Sequence, residues 1–393
     1  MAIRAFIILI SILCYISYYA NAKENFTALS SSISKEEHLE IDEQLKQLNK
    51  PAVKTIQVND GVIYDCVDFY KQPAFDHPLL KDHNYYHTMK PSSRPTNLIK
   101  NKNETHSEHK MEEVKGLGCP TGTVPIRRTT KEDLIRSKLF TNRIITPQTV
   151  EKPGLHHAVL RTKPGRRYNG GGVIMSVHDL STIIRPRYSV SHMTIKNGPD
   201  TIQAGWTVNP NLYGDSKTRF FTFLQAGGRS CFNTHCPGFV IVNTDIPLDH
   251  VYQLLSQRGG PIYLTQIFIY RDAVNGNWWL EYGRDGTQIG FWPGRIFSSL
   301  NTGSNHVEWG GEAYTPPGQK ATQMGNSFRP KGDSRFEAYM KQITTIDESH
   351  KQVIATNTET FVDDKHLYGI LDWGMEGIHG HVMSYGGPFF SAI

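Results

Sequence analysis

The sequence has little charge and no long run of basic residues. Asp, Glu, Lys and Arg make up only 20% of its 393 residues, and 42 basic against 37 acidic side chains leave a formal net charge of +5. Nucleic-acid-binding proteins concentrate Lys and Arg in one run or on one face, and the sequence shows neither pattern. The composition therefore argues against a nucleic-acid partner, a coiled coil and a charge-rich tail protein.

Long apolar stretches are missing after the first 20 or so residues. At the N-terminus, Arg4 precedes an apolar run over Ala5–Cys14, which continues more weakly and ends in Ala20-Asn21-Ala22. A basic residue, a short apolar run and a small-x-small site form the layout of a cleaved secretory signal. We predict a signal peptide over residues 1–22, a secreted, extracellular mature chain and no membrane partner after cleavage.

Motifs of common hydrolases and nucleotide-binding enzymes are also missing. The sequence has no Gly-x-Ser-x-Gly, His-Glu-x-x-His or Gly-x4-Gly-Lys-Ser/Thr, and no Asp-Thr-Gly or Asp-Ser-Gly. His379-Gly380-His381 offers two imidazoles, but two ligands rarely make a specific metal site. We therefore predict no metal and no cofactor.

Cysteine is scarce, and its number fits a secreted chain. Of the five Cys, Cys14 lies in the predicted signal peptide, which leaves Cys66, Cys119, Cys231 and Cys236. An even number in a secreted chain suggests two disulfides among three possible pairings. We expect a local Cys231–Cys236 loop and therefore a Cys66–Cys119 bridge. Asn25 and Asn103 begin N-glycosylation sequons, as expected of a secreted glycoprotein.

Residues 23–150 are predicted to form a small N-terminal unit of mixed helix and strand. Ser34-Lys35-Glu36-Glu37 is a capping box that begins a helix, and Pro51 ends it. A strand-like run follows at 62–64, and a second helix is expected to begin within 129–134. The stretch 71–110 is rich in Pro, His, Asn and Lys, which predicts an exposed, poorly packed segment.

From about residue 150, short apolar runs alternate with Gly, Asn, Asp and Pro. The runs that predict strands are 173–175, 220–224, 239–242, 262–270, 278–282 and 289–292. Residues 262–270 are apolar on both sides, so we expect this strand to be covered on both faces. Asn275-Gly276 is a hairpin signal. Many short strands without alternating helices predict an all-β sandwich or barrel rather than a Rossmann fold.

Two aromatic-rich clusters with polar centres are the candidate site, and they cover residues 201–210 and 306–312. On an extended strand, Glu308, Gly310 and Glu312 share one face, and Trp309 lies on the other. A carboxylate buried in a Trp-lined cleft would have a raised pKa and could act as an acid or base. The residues alone leave a second interpretation, in which the glutamate is structural and is hydrogen-bonded at a sheet edge.

A series of short motifs follows one order over nearly the whole predicted mature chain. In the N-terminal unit these are Asp65-Cys66-Val67-Asp68, Lys71-Gln72-Pro73-Ala74-Phe75-Asp76 and Val124-Pro125-Ile126-Arg127-Arg128. Later motifs are Ala204-Gly205-Trp206, Leu212-Tyr213-Gly214-Asp215, Glu308-Trp309-Gly310-Gly311-Glu312, Gln323-Met324-Gly325 and Tyr385-Gly386-Gly387-Pro388. Together they resemble the plant neprosin family, including its activation peptide.

The resemblance implies an antiparallel β-sandwich catalytic domain over 151–393, preceded by an activation-peptide-like pro-domain over 23–150. It implies a glutamic peptidase that is made as a zymogen, acts in acid and cleaves beside proline. Its partners would be peptide or protein substrates, proline-rich ones among them, and its own pro-domain as inhibitor. A pro-domain that stays attached is expected to plug the cleft. The location would be extracellular, in the cell wall or apoplast of a plant.

The resemblance also implies site residues, with one departure. The family pairs two glutamates across the sandwich, and by motif the second is Glu308, with Glu312 an open alternative. Gln203 stands at the first position, and an amide cannot ionise to act as a general base. In the active hypothesis, Glu308 activates water and later protonates the leaving amine, while Gln203 polarises the scissile carbonyl. The substrate-binding candidates are Trp206, Tyr213, Trp309 and Glu312.

Gln203 also supports two other interpretations. In the first, the protein is a catalytically impaired, extracellular peptide-, glycan- or cell-wall-binding protein that keeps the cleft without the chemistry. In the second, another carboxylate is the true partner of Glu308.

Overall fold

Residues 34–58, 61–98, 109–111, 116–144 and 153–388 are described by a computed structural model of the chain. The predicted signal peptide, both glycosylation sequons and the predicted domain boundary near residue 150 lie outside these residues. The boundaries of the three predicted segments therefore remain predictions.

The α-helices of the described residues are α1, α2 and α3, at Lys35–Leu48, Lys131–Ile144 and Pro210–Tyr213. The capping box starts α1 as predicted, because the Ser34 hydroxyl accepts from the Glu37 N–H and the Glu37 carboxylate accepts from the Ser34 N–H. The first two helices pack through a small cluster of Ile41, Leu48, Leu134 and Ile135. None of the helices in the described ranges is long and apolar enough to cross a membrane.

Single-turn 3-10 helices join several of the larger elements. They lie at Phe69–Lys71, Pro73–Asp76, Pro78–Leu80, Gly294–Ile296, Leu300–Thr302 and Gly377–His379.

A small antiparallel sheet belongs to the N-terminal unit. Its strands, in the order β1-β2-β4, are β1 at Ala52–Gln57, β2 at Ile63–Asp68 and β4 at Thr123–Arg127. The Cys66–Cys119 disulfide joins β2 to the residues before β4, which confirms that predicted pairing. The unit is therefore mixed helix and strand, as expected.

The first large sheet has seven antiparallel strands in the order β10-β9-β8-β7-β15-β5-β18. Their bounds are β10 Arg229–Phe232, β9 Arg219–Ala226, β8 Asp200–Val208, β7 Tyr188–Asn197, β15 His306–Tyr314, β5 Leu155–Thr162 and β18 Thr358–Val362. The predicted Cys231–Cys236 disulfide closes a loop that begins in β10.

The second large sheet has ten strands, eight of them in the order β11-β14-β13-β12-β6-β16-β20-β19. These are β11 Val240–Ile241, β14 Thr287–Trp292, β13 Trp278–Tyr282, β12 Ile262–Arg271, β6 Gly170–Ser176, β16 Ala338–Ile346, β20 His381–Gly386 and β19 Gly369–Met375. Two further strands complete it, β17 at Gln352–Ile354 on β16 and β3 at His109–Met111 on β12.

The two large sheets enclose the core, so the predicted all-β sandwich is confirmed. Trp206 and Trp309 come from the seven-stranded sheet and Trp278 from the ten-stranded sheet, and all three belong to one buried cluster. The Trp206 indole N–H donates to the Ser176 carbonyl of β6 over 2.9 Å, which ties one sheet to the other.

The stretch predicted to be exposed and poorly packed instead covers the outer face of the ten-stranded sheet. Ala74, Leu80 and Tyr85 are buried within the main core cluster, and Tyr85 meets Phe291 edge-on with ring centroids 4.9 Å apart. The Gln72 amide donates to the Ile241 carbonyl and accepts from the Ile241 N–H, over 3.1 and 2.8 Å. The prediction was wrong for these residues because a few buried side chains outweigh a polar composition.

Residues Ser92–Asn97, which we call the strap, continue this cover. The Ser92 N–H and the Ser93 hydroxyl both donate to the buried Asp272 carboxylate, over 2.6 and 2.9 Å. The Arg94 guanidinium donates twice to the Glu281 carboxylate of β13, whose side chain is only 1% exposed. The segment therefore covers β12 on its outer side, and both faces of that strand are buried, as expected.

Candidate active site

The outer face of the seven-stranded sheet forms an open groove of about 600 Å³, lined by side chains from all seven strands. Its lining residues lie between positions 155 and 361, so no described residue of the N-terminal unit contributes to it. The expectation that the pro-domain plugs the cleft is therefore not met by the described residues. Residues 69–98 lie on the outer face of the ten-stranded sheet, and α2 packs against α3 at one end of the seven-stranded sheet.

Gln203 and Glu308 lie in one row across the floor of this groove. Strand register places Thr194 of β7 directly between them, paired with Gln203 of β8 on one side and with Glu308 of β15 on the other. Two strand spacings separate the Cα atoms of Gln203 and Glu308, or about 10 Å. A water molecule and a peptide bond can fit between side chains that approach from that distance.

Glu308 is held as a carboxylate by a neighbour on its own strand. Burial raises its pKa, but a hydrogen bond from His306 and the positive potential of His192, His306 and His157 outweigh burial and lower the pKa to about 2. His306 Nε2 lies 2.8 Å from Glu308 Oε2, and an ionised carboxylate can only accept this bond. The expected raised pKa was wrong because a histidine, and not Trp309, shares the groove with Glu308.

His192 precedes Thr194 by two residues on the same face of β7, is buried beside this row, and was not foreseen from the sequence. Its aligned neighbours are Gly205 of β8 and Gly310 of β15. Its Nδ1 lies 2.8 Å from the Thr194 hydroxyl, and its buried Nε2 has no partner among the described residues. Burial lowers the pKa of His192, and the nearby carboxylates of Glu308 and Glu312 oppose that shift. Strand alternation along β7 would have indicated its face once the register was known.

Gly310 is required by the backbone of β15 itself. Its φ is +151°, and a Cβ there would lie 2.3 Å from the Ala158 carbonyl oxygen of β5. Because Gly310 has no side chain, β5 can pair closely with the backbone of β15 at this position.

Glu312 shares the groove face with Glu308, as predicted, but has different partners. It lies four residues further along β15, about 13 Å away, where its aligned neighbours are Val190 and His157. The Tyr188 hydroxyl donates to Glu312 Oε1 over 2.7 Å, and His157 Nδ1 is 3.8 Å from Oε2. The structure therefore brings Glu308, and not Glu312, into line with Gln203.

Three proposed substrate-binding residues lie outside the groove, which corrects that expectation. Trp206 and Trp309 point to the inner face of their strands and are fully buried in the core. Tyr213 is buried in α3 beside the Arg219 guanidinium, 4.7 Å from its ring centroid, and accepts a hydrogen bond from Asn233. Alternation predicted that Gln203 and Trp206 face opposite ways but not which of them faces the core.

No group of three His, Cys, Asp or Glu in the described ranges is arranged to hold a metal ion. His381, from the sequence pair considered above, is occupied by the Asp372 carboxylate and the Ala355 carbonyl oxygen.

Comparison with known families places this geometry in context. A family model named Neprosin matches residues 185–388, a little more than half of the chain, and a model named Neprosin activation peptide matches residues 55–161. The chain therefore belongs to the Neprosin family and carries the activation peptide of that family.

Among solved structures, the chain is similar to scytalido-glutamic peptidase bound to a transition-state analogue inhibitor, with 11% identity and a TM-score of 0.35, over 60% of this chain and 99% of that one. It is also similar to SCP-B, an Eqolisin family peptidase in complex with the tripeptide Ala-Ile-His (9% identity, TM-score 0.31, 60% and 98% covered). A pentraxin from Limulus polyphemus matches at 9% identity and a TM-score of 0.26, with 62% and 94% covered. Because the identities and TM-scores are this low, we assign no residue role in this chain from these structures.

Proposed function

We propose that the protein is a secreted endopeptidase of the glutamic type, made as a zymogen, that cleaves peptide bonds beside proline in acid. The observation that carries this proposal is the row of Gln203, Thr194 and Glu308 in an open groove, with Glu308 held ionised by His306. Family membership and the activation-peptide match support the zymogen.

Glu308 is the general base. Its carboxylate takes a proton from a water molecule lying between it and Gln203, and the water oxygen attacks the carbonyl carbon of the scissile bond. A free glutamate, with a pKa of about 4.3, would be largely protonated in acid. A pKa of about 2 keeps the Glu308 carboxylate ionised at the acidic pH where the family acts.

Gln203 stabilises the negative charge that develops on the carbonyl oxygen. Its amide N–H is a neutral donor at every pH, and one such preorganised donor is worth about 3 kcal/mol in the transition state. The protonated Glu308 then gives its proton to the leaving amine as the C–N bond breaks, which restores the carboxylate. Two carboxylates are thus not required.

The proline preference is proposed from family membership and from the aromatic wall beside Gln203. Phe223 is the aligned neighbour of Gln203 on β9, and Phe232 of β10 packs on it with ring centroids 5.1 Å apart. Two aromatic rings offer an apolar surface on which a proline ring can pack.

Acid hydrolysis of a proline-containing peptide by the purified full-length protein tests the proposal. We expect cleavage at about pH 4, and a loss of about 10³-fold in Glu308→Gln. Glu312→Gln is the matched control on the same strand and should keep activity within several-fold. Acidification should also release a fragment whose N-terminus lies between Arg128 and Pro153, as N-terminal sequencing would detect. Activity that survives in Glu308→Gln would contradict the proposal.

The second candidate is a binding protein on a peptidase scaffold, and Gln203 is the observation that favours it. In that case the wild-type protein hydrolyses nothing, and Gln203→Glu, which restores a second carboxylate, gains activity. The same assay separates the two functions, since the peptidase proposal requires activity with Gln203 in place.

A further inference from the structure

The Glu and Arg side chains that line the groove each have a hydrogen-bonding partner, whereas Lys196 has no acidic partner among the described residues. Glu308 is bonded to His306, Glu312 to Tyr188, and the Arg161 guanidinium donates to the Glu359 carboxylate over 3.0 Å. Lys196 also lines the groove, and no acidic side chain in the described part of the chain forms an ion pair with it. An unpaired cation in a cleft is free to attract an anionic group of a ligand.

Register fixes where this cation lies. Lys196 is two residues beyond Thr194 on β7, so both side chains point into the groove, about 7 Å apart along the strand. Its aligned neighbours are Thr201 of β8 and His306 of β15. The Ser304 hydroxyl donates to the Lys196 carbonyl over 2.8 Å and fixes the backbone there. Lys196 is thus one row away from Gln203 and Glu308.

The groove around Lys196 is polar and rich in donors. Thr201, Gln225 and Asn305 line the same part of it, and each carries a neutral hydrogen-bond donor. The carboxylate nearest in register is Glu308, which His306 already satisfies. A carboxylate entering from solvent would therefore meet one ammonium and several neutral donors.

We propose that Lys196, with Thr201, Gln225 and Asn305, forms a subsite that binds a carboxylate of the peptide in the groove. The inference deepens the proposed peptidase function and depends on it only for the identity of the ligand as a peptide. The carboxylate comes either from an acidic side chain near the scissile bond or from the C-terminus of a short peptide. Because carboxylates protonate below about pH 4, this selectivity fades as the pH falls.

Calorimetric binding of uncleavable peptides to the full-length protein tests the subsite directly. Each peptide carries a reduced bond after proline, with Glu or Gln at one of the neighbouring positions, and ends in a free carboxylate or an amide. At about pH 5, where a free carboxylate is ionised, we expect one Glu peptide, or the free-carboxylate form, to bind five- to tenfold more tightly than its neutral counterpart. At about pH 3 the difference should fall below twofold for a Glu side chain and should shrink less for a C-terminal carboxylate, whose pKa is lower.

Two substitutions make the assignment specific. Lys196→Met keeps the length of the side chain and should abolish the preference. Lys196→Glu should invert it, so that the neutral peptide binds more tightly than the acidic one. Lys163→Met is the matched control, since Lys163 is exposed just beyond β5 and outside the groove. It should keep the preference.

The preference decides the outcome whether or not the protein is a peptidase. Equal affinity for every acidic and neutral pair, no binding of any peptide, or a preference that survives in Lys196→Met would overturn the subsite. Selective binding by a protein that cleaves no peptide would uphold the subsite and refute the proposed hydrolysis. Cleavage by a protein that shows no such selectivity would uphold the proposed hydrolysis and refute the subsite.

Discussion

The outer face of the seven-stranded sheet is an open groove, whereas the outer face of the ten-stranded sheet is covered by N-terminal residues 69–98. Glu308 on the open face and Glu281 on the covered face each have a hydrogen-bonding partner, but the partners come from different parts of the chain. The partner of Glu308 is His306, two residues away on the same strand. The partners of Glu281 are Tyr270 of the next strand and Arg94 of the strap.

This difference determines whether a carboxylate with a bonded partner stays accessible to a ligand. A neighbour on the same strand fixes the charge of Glu308 and leaves its side chain 19% exposed to the groove. A neighbour from a distant segment closes over Glu281 and leaves it 1% exposed. We interpret the first arrangement as catalytic and the second as an anchor for the N-terminal segment, and the variants below test that contrast.

The largest expected effect is on the anchoring of the covered face. Leu80 is fully buried in the core cluster that it shares with the sandwich. Leu80→Ala should therefore lower the free energy of unfolding by about 2–5 kcal/mol, as measured by urea denaturation. Its neighbour Leu79 is 52% exposed, and Leu79→Ala should change stability by less than about 0.5 kcal/mol. Equal effects would mean that the segment does not belong to the folded core.

The next prediction concerns the open face, where His306→Ala should shift the pH dependence of kcat/KM. Removing the His306 hydrogen bond should raise the pKa of Glu308 from about 2 towards the usual value of about 4.3. In His306→Ala the acid limb of the kcat/KM profile should therefore move up by about two pH units. The ionised Glu308 also stabilises the fold above about pH 4, and this contribution is lost as the pH falls through the folded pKa.

His157→Gln is the control for that profile. His157 acts on Glu308 only through its charge, without a hydrogen bond to it, and is the weakest of the stated causes. Its substitution should move the acid limb by much less than His306→Ala does. If the acid limb does not move in His306→Ala, Glu308 is not the group whose protonation lowers kcat/KM in acid.

The smallest of these effects is the loss of the Arg94–Glu281 pair. Arg94→Ala leaves a buried carboxylate with one partner, Tyr270, and should cost about 1–3 kcal/mol of unfolding free energy. Lys131→Ala breaks the exposed Lys131–Asp42 pair and should cost less than about 1 kcal/mol. If Arg94→Ala leaves the unfolding free energy unchanged, the strap does not stabilise the covered face in solution.

Local patterns in the sequence were sufficient for several parts of the structure. The capping box at Ser34 fixes the start of α1, because its two hydrogen bonds link residues only three apart. Runs such as 262–270 and 278–282 became strands because their composition and flanking turns specify them without distant partners. Alternation along β15 likewise placed Glu308 and Glu312 on one face and Trp309 on the other.

Other parts depended on partners far away in the chain. Thr194 and His192 gain their importance from the register of β7, β8 and β15, which no local pattern determines. Trp206 was misplaced because alternation does not say which face meets the second sheet. Gln72, Ser92 and Arg94 lie in the stretch predicted to be exposed and poorly packed. Ser92 and Arg94 are exposed and Gln72 is buried, and all three bond to Ile241, Asp272 and Glu281, which lie more than 160 residues further along.

The most direct test of the central claim compares the two glutamates, one on each sheet. Peptide hydrolysis and urea unfolding would be measured for Glu308→Gln and Glu281→Gln in the full-length protein. We predict that kcat/KM falls about 10³-fold in Glu308→Gln and stays within about fivefold in Glu281→Gln, whereas Glu281→Gln loses the stability that Arg94→Ala also loses. Equal loss of activity in both variants, or full activity in Glu308→Gln, would contradict the assignment of catalysis to the open face.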